Sequence, residues 1–257
     1  MKAMNWKTRV LVVLAVALAL GGCVKVEQTL TLKKDGSGTL DMRYGMSEQT
    51  IAQMEAMEKM AESMGQEEDA EAESGSPFDF DEAEIREQFE TSAPEGVKLV
   101  SLDSESVDGW KYMNLKLAFD DLAALRQTEF FSDGAMSLTK NADGNYVLVQ
   151  STGAEDAMPP TPSDGGDAAA AAMLEQMSAM FAGMRIATTV IAPSEVLESN
   201  ATETDGRKAS WVFDVDEDPA VLTKLKQMNL RMVFKGKGVD IAEFDATSGG
   251  AADTAAE

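Results

Sequence analysis

Histidine is absent from the sequence, and cysteine occurs once, at Cys23. Without histidine the chain cannot form a Ser-His-Asp or Cys-His nucleophile, an HExxH zinc site or a histidine acid–base pair. A single thiol also excludes an intrachain disulfide and a cysteine-rich metal site. Catalysis would have to rest on carboxylates, lysine, serine or tyrosine. We therefore predict a protein that is not an enzyme and holds no metal or cofactor, with a carboxylate-based hydrolase as the least favoured alternative.

Basic residues are also scarce, because 22 Lys and Arg face 45 Asp and Glu and give a net charge of −23. A surface this acidic repels phosphate backbones and anionic headgroups, so we exclude nucleic acid as a partner. The length of 257 residues allows one large domain or two small ones.

The N-terminal apolar run is too short to cross a membrane. It extends from Val10 to Leu20, 11 residues, whereas a spanning helix needs about 20. Positive charges precede the run at Lys2, Lys7 and Arg9. A basic segment followed by a short apolar run is typical of a secretion signal, and we predict one at residues 1–22.

The tetrapeptide Leu20-Gly21-Gly22-Cys23, which ends this region, resembles the lipobox of bacterial lipoproteins. The resemblance implies cleavage between Gly22 and Cys23 and acylation of the Cys23 thiol, with palmitate-like chains. Two or three acyl chains on one residue hold a soluble domain stably at a membrane. The alternatives are a plain cleaved signal and an uncleaved anchor, and both would leave an unpaired thiol in an exported protein.

Val24 follows the cysteine. In envelopes with two membranes, sorting resembles a rule in which Asp at this position retains a lipoprotein at the inner membrane. We therefore expect a cell-envelope protein that contacts the membrane through its N-terminal lipid, at the outer membrane if the organism has one.

Alternating apolar residues on both sides of glycine turns predict four β-hairpins. The turns lie at Asp35-Gly36, Asp108-Gly109, 141–144 and Asp205-Gly206, and a further strand is expected at 230–234. Trp110 and Trp211 fall in alternating strands, and we expect both to be core residues.

Three- and four-residue spacing of apolar side chains predicts helices between these strands. Ser47 is expected to cap a helix that reaches Met64. Other helices are expected at 81–90, after Asp120-Asp121, at 168–182 and from Pro219. The fold class is therefore α+β, with antiparallel β-hairpins forming one or two sheets and several packed helices.

The predicted organisation has two acidic flexible linkers rich in small residues. After the signal at 1–22, an α+β region at 23–150 carries an acidic insert near 65–79. A linker at 151–167 leads to a helix, hairpin and helix region at 168–246, which we expect to belong to the same domain. A disordered tail at 247–257 follows.

Two stretches of the chain resemble LppM-type bacterial lipoproteins. The first is the cysteine that runs directly into a strand and an Asp-Gly-Ser-Gly turn at 35–38. The second is the run at 185–194 followed by Glu198-Ser-Asn-Ala201, Asp205-Gly206 and Ala209-Ser-Trp211. The resemblance implies an α+β envelope domain with no established catalytic residues.

Methionine is abundant, with 17 residues, and many fall on two predicted helices. The candidate positions are Met54, Met57, Met60 and Met64 on the first helix, and Met173, Met177, Met180 and Met184 on the second. The second set forms one continuous face. Flexible thioether faces grip variable apolar partners such as acyl chains, but they also serve as core. We expect core faces, with a hydrophobic-ligand or partner face as the alternative.

Acidic clusters are the remaining candidate sites. They lie at Asp79/Asp81/Glu82, at Asp120/Asp121 and at Asp214/Asp216/Glu217/Asp218. The fragment Asn141-x-Asp143-Gly144-Asn145 lacks the closing Glu of a calcium loop. We expect turns and helix N-termini here rather than metal sites.

Together these observations predict a membrane-anchored envelope lipoprotein whose non-enzymatic α+β domain has a structural or binding role. A second hypothesis is a lipid- or hydrophobe-binding module that uses the methionine faces. The identity of a lipid or envelope-protein partner is left open.

Overall fold

Alternating apolar and polar residues build most of the described chain into β-strands. The computed structural model describes residues 24–63, 82–128, 131, 136–151, 181–221 and 229–245. The strands are β1 Val24–Leu32, β2 Gly38–Ser47, β3 Val97–Val107, β4 Trp110–Phe119, β5 Met136–Lys140, β6 Tyr146–Ser151, β7 Arg185–Ile191, β8 Val196–Ser199, β9 Glu203–Asp205, β10 Lys208–Asp214 and β11 Asn229–Phe234. The helices are α1 Glu48–Ser63, α2 Glu82–Ser92 and α3 Leu122–Arg126.

The predicted hairpins are confirmed where local turns join neighbouring strands. β1 pairs with β2, β3 with β4 and β5 with β6, each antiparallel. The fourth predicted pair, β7 and β10, is also antiparallel, but β8 and β9 are inserted between its strands. The Asp205-Gly206 turn therefore joins β9 to β10 rather than β7 to β10.

Seven strands form the larger sheet in the order β3-β4-β2-β1-β7-β10-β9. β1 lies inside this sheet, antiparallel to β2 and parallel to β7. The predicted antiparallel hairpins are therefore joined within this sheet by one parallel pair, which the sequence pattern did not indicate. A parallel pair needs a long crossover between its strands, and the chain from β2 to β7 supplies one.

Four strands form the smaller sheet in the order β5-β6-β11-β8, with antiparallel pairing throughout. Its apolar residues join those of the larger sheet in one contiguous core. Buried members from the larger sheet are Leu30, Leu40, Leu117 and Trp211; those from the smaller sheet are Leu138, Tyr146, Met232 and Phe234. The two sheets therefore share a single interior.

Helices contribute less than the predicted fold class implied. The described part of the chain is mostly β-sheet with few short helices, so the expectation of several packed helices is corrected. Ile51 and Met54 of α1, and Ile85 and Phe89 of α2, pack against the core. The predicted linker at 65–79, the linker at 151–167 apart from Ser151, which ends β6, most of the predicted helices at 168–182 and from Pro219, and the tail lie outside the described residues.

Helix boundaries follow the predicted caps. The Ser47 hydroxyl accepts a hydrogen bond from the Thr50 backbone N–H at 3.2 Å, at the start of α1. The Asp121 carboxylate accepts one from Ala124 N–H at 2.7 Å, at the start of α3. Each side chain satisfies a backbone donor that has no partner within its helix.

Asn200 joins the two sheets where the chain passes from β8 to β9. Its side-chain oxygen accepts hydrogen bonds from the Trp211 indole N–H and from Arg231 N–H, both at 2.9 Å. Its side-chain NH₂ donates to the Asn229 carbonyl at 2.7 Å. Trp211 belongs to the larger sheet, whereas Asn229 and Arg231 belong to the smaller one. We call these contacts the Asn200 clamp.

Candidate functional site

The end of the larger sheet at which β1 begins is the candidate site, because the predicted lipidation site adjoins it. Val24 is already in β1, one peptide bond after Cys23. Val24 pairs with Met46 of β2, and Met46 pairs with Lys111 of β4. Cys23 itself and Gly22 lie outside the described residues. We call this edge the anchor end of the sheet.

An aromatic and cationic cluster occupies the anchor end. Trp110 and Tyr112 stack with ring centroids 6.2 Å apart. The Lys25 ammonium lies 3.9 Å from the centroid of the Trp110 ring, and the Arg43 guanidinium lies 3.8 Å from that of Tyr112. Both contacts have the geometry of cation–π interactions. The cluster is on the outer face of the sheet, which is the face opposite the core.

Trp110 corrects a prediction, because it was expected in the core. On β4 the buried residues are Met113, Leu115, Leu117 and Phe119. Trp110 has the opposite parity, and successive side chains on a strand point to opposite faces. The ring therefore lies partly exposed on the outer face. Trp211, in contrast, is 3% exposed, as expected for a core residue.

Gly45 makes room for the cluster. It pairs with Lys25 on one side and with Tyr112 on the other. A Cβ atom at position 45 would lie 2.4 Å from Tyr112 Cε1, well inside van der Waals contact. Only glycine lets the Tyr112 ring lie across β2 in this way.

The turn between β3 and β4 projects at the anchor end. Asp108 has φ 51° and Gly109 has φ 77°, the signs of the two-residue type I′ turn that matches the twist of a hairpin. The Gly109 carbonyl accepts a hydrogen bond from Glu48 N–H at 2.9 Å, which ties the turn to the start of α1. Val107, the pair partner of Trp110, is 42% exposed. We call residues 107–110 the hairpin tip.

Paired charges cover the outer face farther from the anchor end. The Arg43 guanidinium contacts the Glu105 carboxylate at 3.0 Å, and the Lys116 ammonium contacts Asp41 at 2.6 Å. The Asn114 side-chain NH₂ donates to Asp103 at 3.0 Å. Asp41, Arg43, Asn114 and Lys116 are among the residues that line a shallow polar depression of about 270 Å³.

The paired charges neutralise one another. Each carboxylate of the ladder formed by Asp41, Asp103 and Glu105 accepts a hydrogen bond from a cation or an amide. Exposed ion pairs of this kind contribute about 0–1 kcal/mol each. A polar ligand that bound through Asp41, Arg43, Asn114 or Lys116 would have to replace existing contacts.

The methionines that the structure describes lie inside the fold. Met54 is partly buried against the main core. Met184 is 5% exposed and packs with Phe181, Val215 and Val221 in a small second cluster. Met57 lies on α1, but its side chain is outside the described part. Met60 is also on α1 with its side chain outside that part, while Met64, Met173, Met177 and Met180 lie outside the described residues.

The acidic clusters lie in turns or at the starts of helices where they are described. The Asp214 carboxylate accepts from Asp216 and Glu217 N–H at 3.1 and 3.3 Å, and Asp218 accepts from Ala220 N–H at 3.0 Å. The Asn141 side-chain oxygen accepts similarly within its own turn. Among the described residues, no group of three or more His, Cys, Asp or Glu could hold a metal ion. Asp79 and Asp81 lie outside those residues.

Sequence reasoning missed the aromatic cluster and the Asn200 clamp. The alternation of β4 contained the signal for the cluster, because Trp110 and Tyr112 share parity with Asn114 and Lys116. No local pattern indicates the clamp, since its partners come from β10 and β11. In the described ranges, no helix is both long and apolar enough to span a membrane.

Comparison with solved structures gives a similarity to a bacterial lipoprotein domain. The chain is similar to the folded domain of the LppM protein of Mycobacterium tuberculosis, solved by NMR. The TM-score is 0.40 and the sequence identity 10%, over 86% of this chain and 92% of that one. This is a weak structural resemblance to LppM. No protein-family model and no curated protein matches the chain.

Proposed function

We propose that the protein is a lipid-anchored envelope lipoprotein whose β-rich domain has a structural or binding role without catalysis. The observation that carries the proposal is the position of Cys23. It ends a sequence that resembles a lipobox, and it directly precedes β1, an interior strand of the larger sheet. A domain attached in this way has no spacer and stays close to the membrane that holds its acyl chains.

Two further observations support this role, one over a hydrolase and the other over a hydrophobic-ligand module. Three carboxylates of the outer face, Asp41, Asp103 and Glu105, are engaged in ion pairs or amide hydrogen bonds, whereas a carboxylate-based hydrolase needs two that are placed to act on a substrate. Met54 and Met184 pack into the interior, which favours a core role for these methionines over capture of a hydrophobic ligand. Val24 favours outer-membrane sorting in an envelope with two membranes.

The proposal is tested by changing Cys23 to Ser in the full chain. Acyl labelling in bacterial cells should be lost, and the protein should move from the membrane to the soluble fraction, because the thiol is the only attachment point for the lipid. The exposed Ser106→Ala variant is the matched control and should keep both label and membrane. Unchanged labelling of the Cys23→Ser variant would contradict the proposal.

A further inference from the structure

We propose that the hairpin tip, together with Lys25, rests in the headgroup layer of the membrane beside the anchor. The inference rests on the proposed lipidation of Cys23. It adds a second, non-covalent contact between the domain and the bilayer, made by Trp110, Val107 and the Lys25 ammonium. The occupant of this surface is the lipid interface itself rather than a protein partner.

The predicted anchor and the hairpin tip lie close together at the same end of the larger sheet. The Cα atoms of Cys23 and Val24 are about 3.8 Å apart, as across any trans peptide bond. β4 is two strands away from β1, or about 10 Å at the usual strand spacing. The register pairs Ser47 with Trp110, one step nearer the anchor end than the row that contains Val24. A membrane that holds the acyl chains of Cys23 therefore reaches the level of Trp110.

The side chains of the hairpin tip and Lys25 are of types that suit a membrane interface. Tryptophan concentrates at membrane–water interfaces because its ring is apolar and its N–H is polar. Val107 adds an exposed aliphatic side chain beside it, 42% exposed. Lysine near an interface extends its ammonium towards lipid phosphates while its aliphatic stem stays on apolar surface. Asp108, in the turn, and the net charge of −23 favour a zwitterionic bilayer over an anionic one.

Neighbouring elements hold the hairpin tip in place. Lys25 holds the Trp110 ring from β1, and Glu48 holds the turn from α1. The positive φ values of Asp108 and Gly109 fix the turn itself. Because the tip is ordered before contact, membrane binding costs little additional conformational entropy. This makes a small apolar surface sufficient next to a covalent anchor.

The test uses tryptophan emission of the full chain, processed in bacterial cells and reconstituted in phosphatidylcholine vesicles with or without brominated acyl chains. Bromine quenches indoles that reach the bilayer. After removal of the leader, which contains Trp6, the emitters are Trp110 and Trp211. We expect a loss of emission in brominated vesicles, and no loss in the Trp110→Phe variant, because Trp211 is buried in the core.

Two matched variants, both in the Trp110→Phe background, move the indole from β4 to a position on β3. Val107→Trp puts it at the tip, and Val100→Trp puts it at a site that is 56% exposed and about 23 Å along the strand. Quenching at 107 but not at 100 is expected. Equal quenching at both positions, or none at 107, would overturn the inference.

The mass of the isolated protein separates this inference from the proposed function. If the protein carries acyl chains and binds vesicles but Trp110 is not quenched, the membrane contact is wrong and the anchor stands. If it carries no acyl chains, the proposed function fails and the inference fails with it.

Discussion

Tyr146 fastens the C-terminal segment to the smaller sheet through both functions of its hydroxyl group. The hydroxyl donates to the Ile241 carbonyl at 3.0 Å and accepts from Ile241 N–H at 2.9 Å. The side chain is fully buried and stacks on Phe234, with ring centroids 5.4 Å apart. Two backbone groups therefore depend on one side chain for their hydrogen bonds.

Replacing Tyr146 by Phe should lower the free energy of unfolding by about 1–3 kcal/mol, because it leaves buried polar groups of Ile241 without a partner. Urea denaturation measures the change. Tyr44→Phe is the matched control, since the Tyr44 hydroxyl donates only to Met42 Sδ, at 3.6 Å. Equal stability of the two variants at neutral pH would refute the assigned role of Tyr146.

Tyr44 should make stability fall at alkaline pH. Burial raises the pKa of Tyr44 above its usual value. The contribution of neutral Tyr44 to the free energy of unfolding is therefore complete below about pH 10, which is the pKa of tyrosine in an unfolded chain. This contribution is lost as the pH rises from there towards the pKa of Tyr44 in the folded protein. The slope approaches about 1.4 kcal/mol per pH unit. Unfolding free energies measured between pH 9 and pH 11.5 should decrease less steeply for Tyr44→Phe, and parallel curves would contradict the prediction.

At the residue scale, burial was predictable wherever parity was applied along a strand. The alternation in β4 assigns Leu115 and Leu117 to the core, and they are buried there. Its place in an alternating strand predicts a core position for Trp110, but its parity with Lys116 puts it on the outer face. An aromatic ring at a strand end can cover neighbouring side chains on an exposed face, and residue type alone does not distinguish that from burial.

At the element scale, β8 and β11 are held to β10 by the Asn200 clamp. Asn200→Ala removes three hydrogen bonds that bridge the sheets, so we expect a loss of about 1–3 kcal/mol of unfolding free energy. The indole N–H resonance of Trp211 should also shift. Asn114→Ala is the control, because that amide is exposed and bonds only within the outer-face ladder. A clamp variant as stable as this control, with an unshifted indole signal, would refute the bridging role.

Elements were predictable where their causes are local. Glycine turns specify hairpins, and Ser47 and Asp121 specify helix starts, because each acts within four residues along the chain. The insertion of β8 and β9 between β7 and β10 was not predictable in this way. It depends on the pairing of β8 with β11 in the smaller sheet, between residues that are more than 30 positions apart in the chain.

At the scale of the whole molecule, chain proximity accounts for the hairpin pairs but not for the pairing of β1 with β7, which lie far apart in the sequence. β1 and β7 are both amphipathic, so each fits beside any strand of matching parity. Their pairing places the apolar faces of both strands over the shared core. The sequence pattern alone does not decide whether the hairpins form one sheet or two, because it contains no signal for which hairpins become neighbours.

The interior position of β1 also determines how the domain responds to force. A pull on the anchor enters at Val24 and runs along β1, which is bonded to β2 over nine residue pairs and to β7 over seven. Those hydrogen bonds lie across the direction of the pull, so they are loaded together in shear instead of being opened one after another, as they would be at a peeled edge. With the proposed lipid on Cys23, extraction from a bilayer would load the sheet in shear along β1, and we expect the lipid to leave the membrane before the sheet unravels.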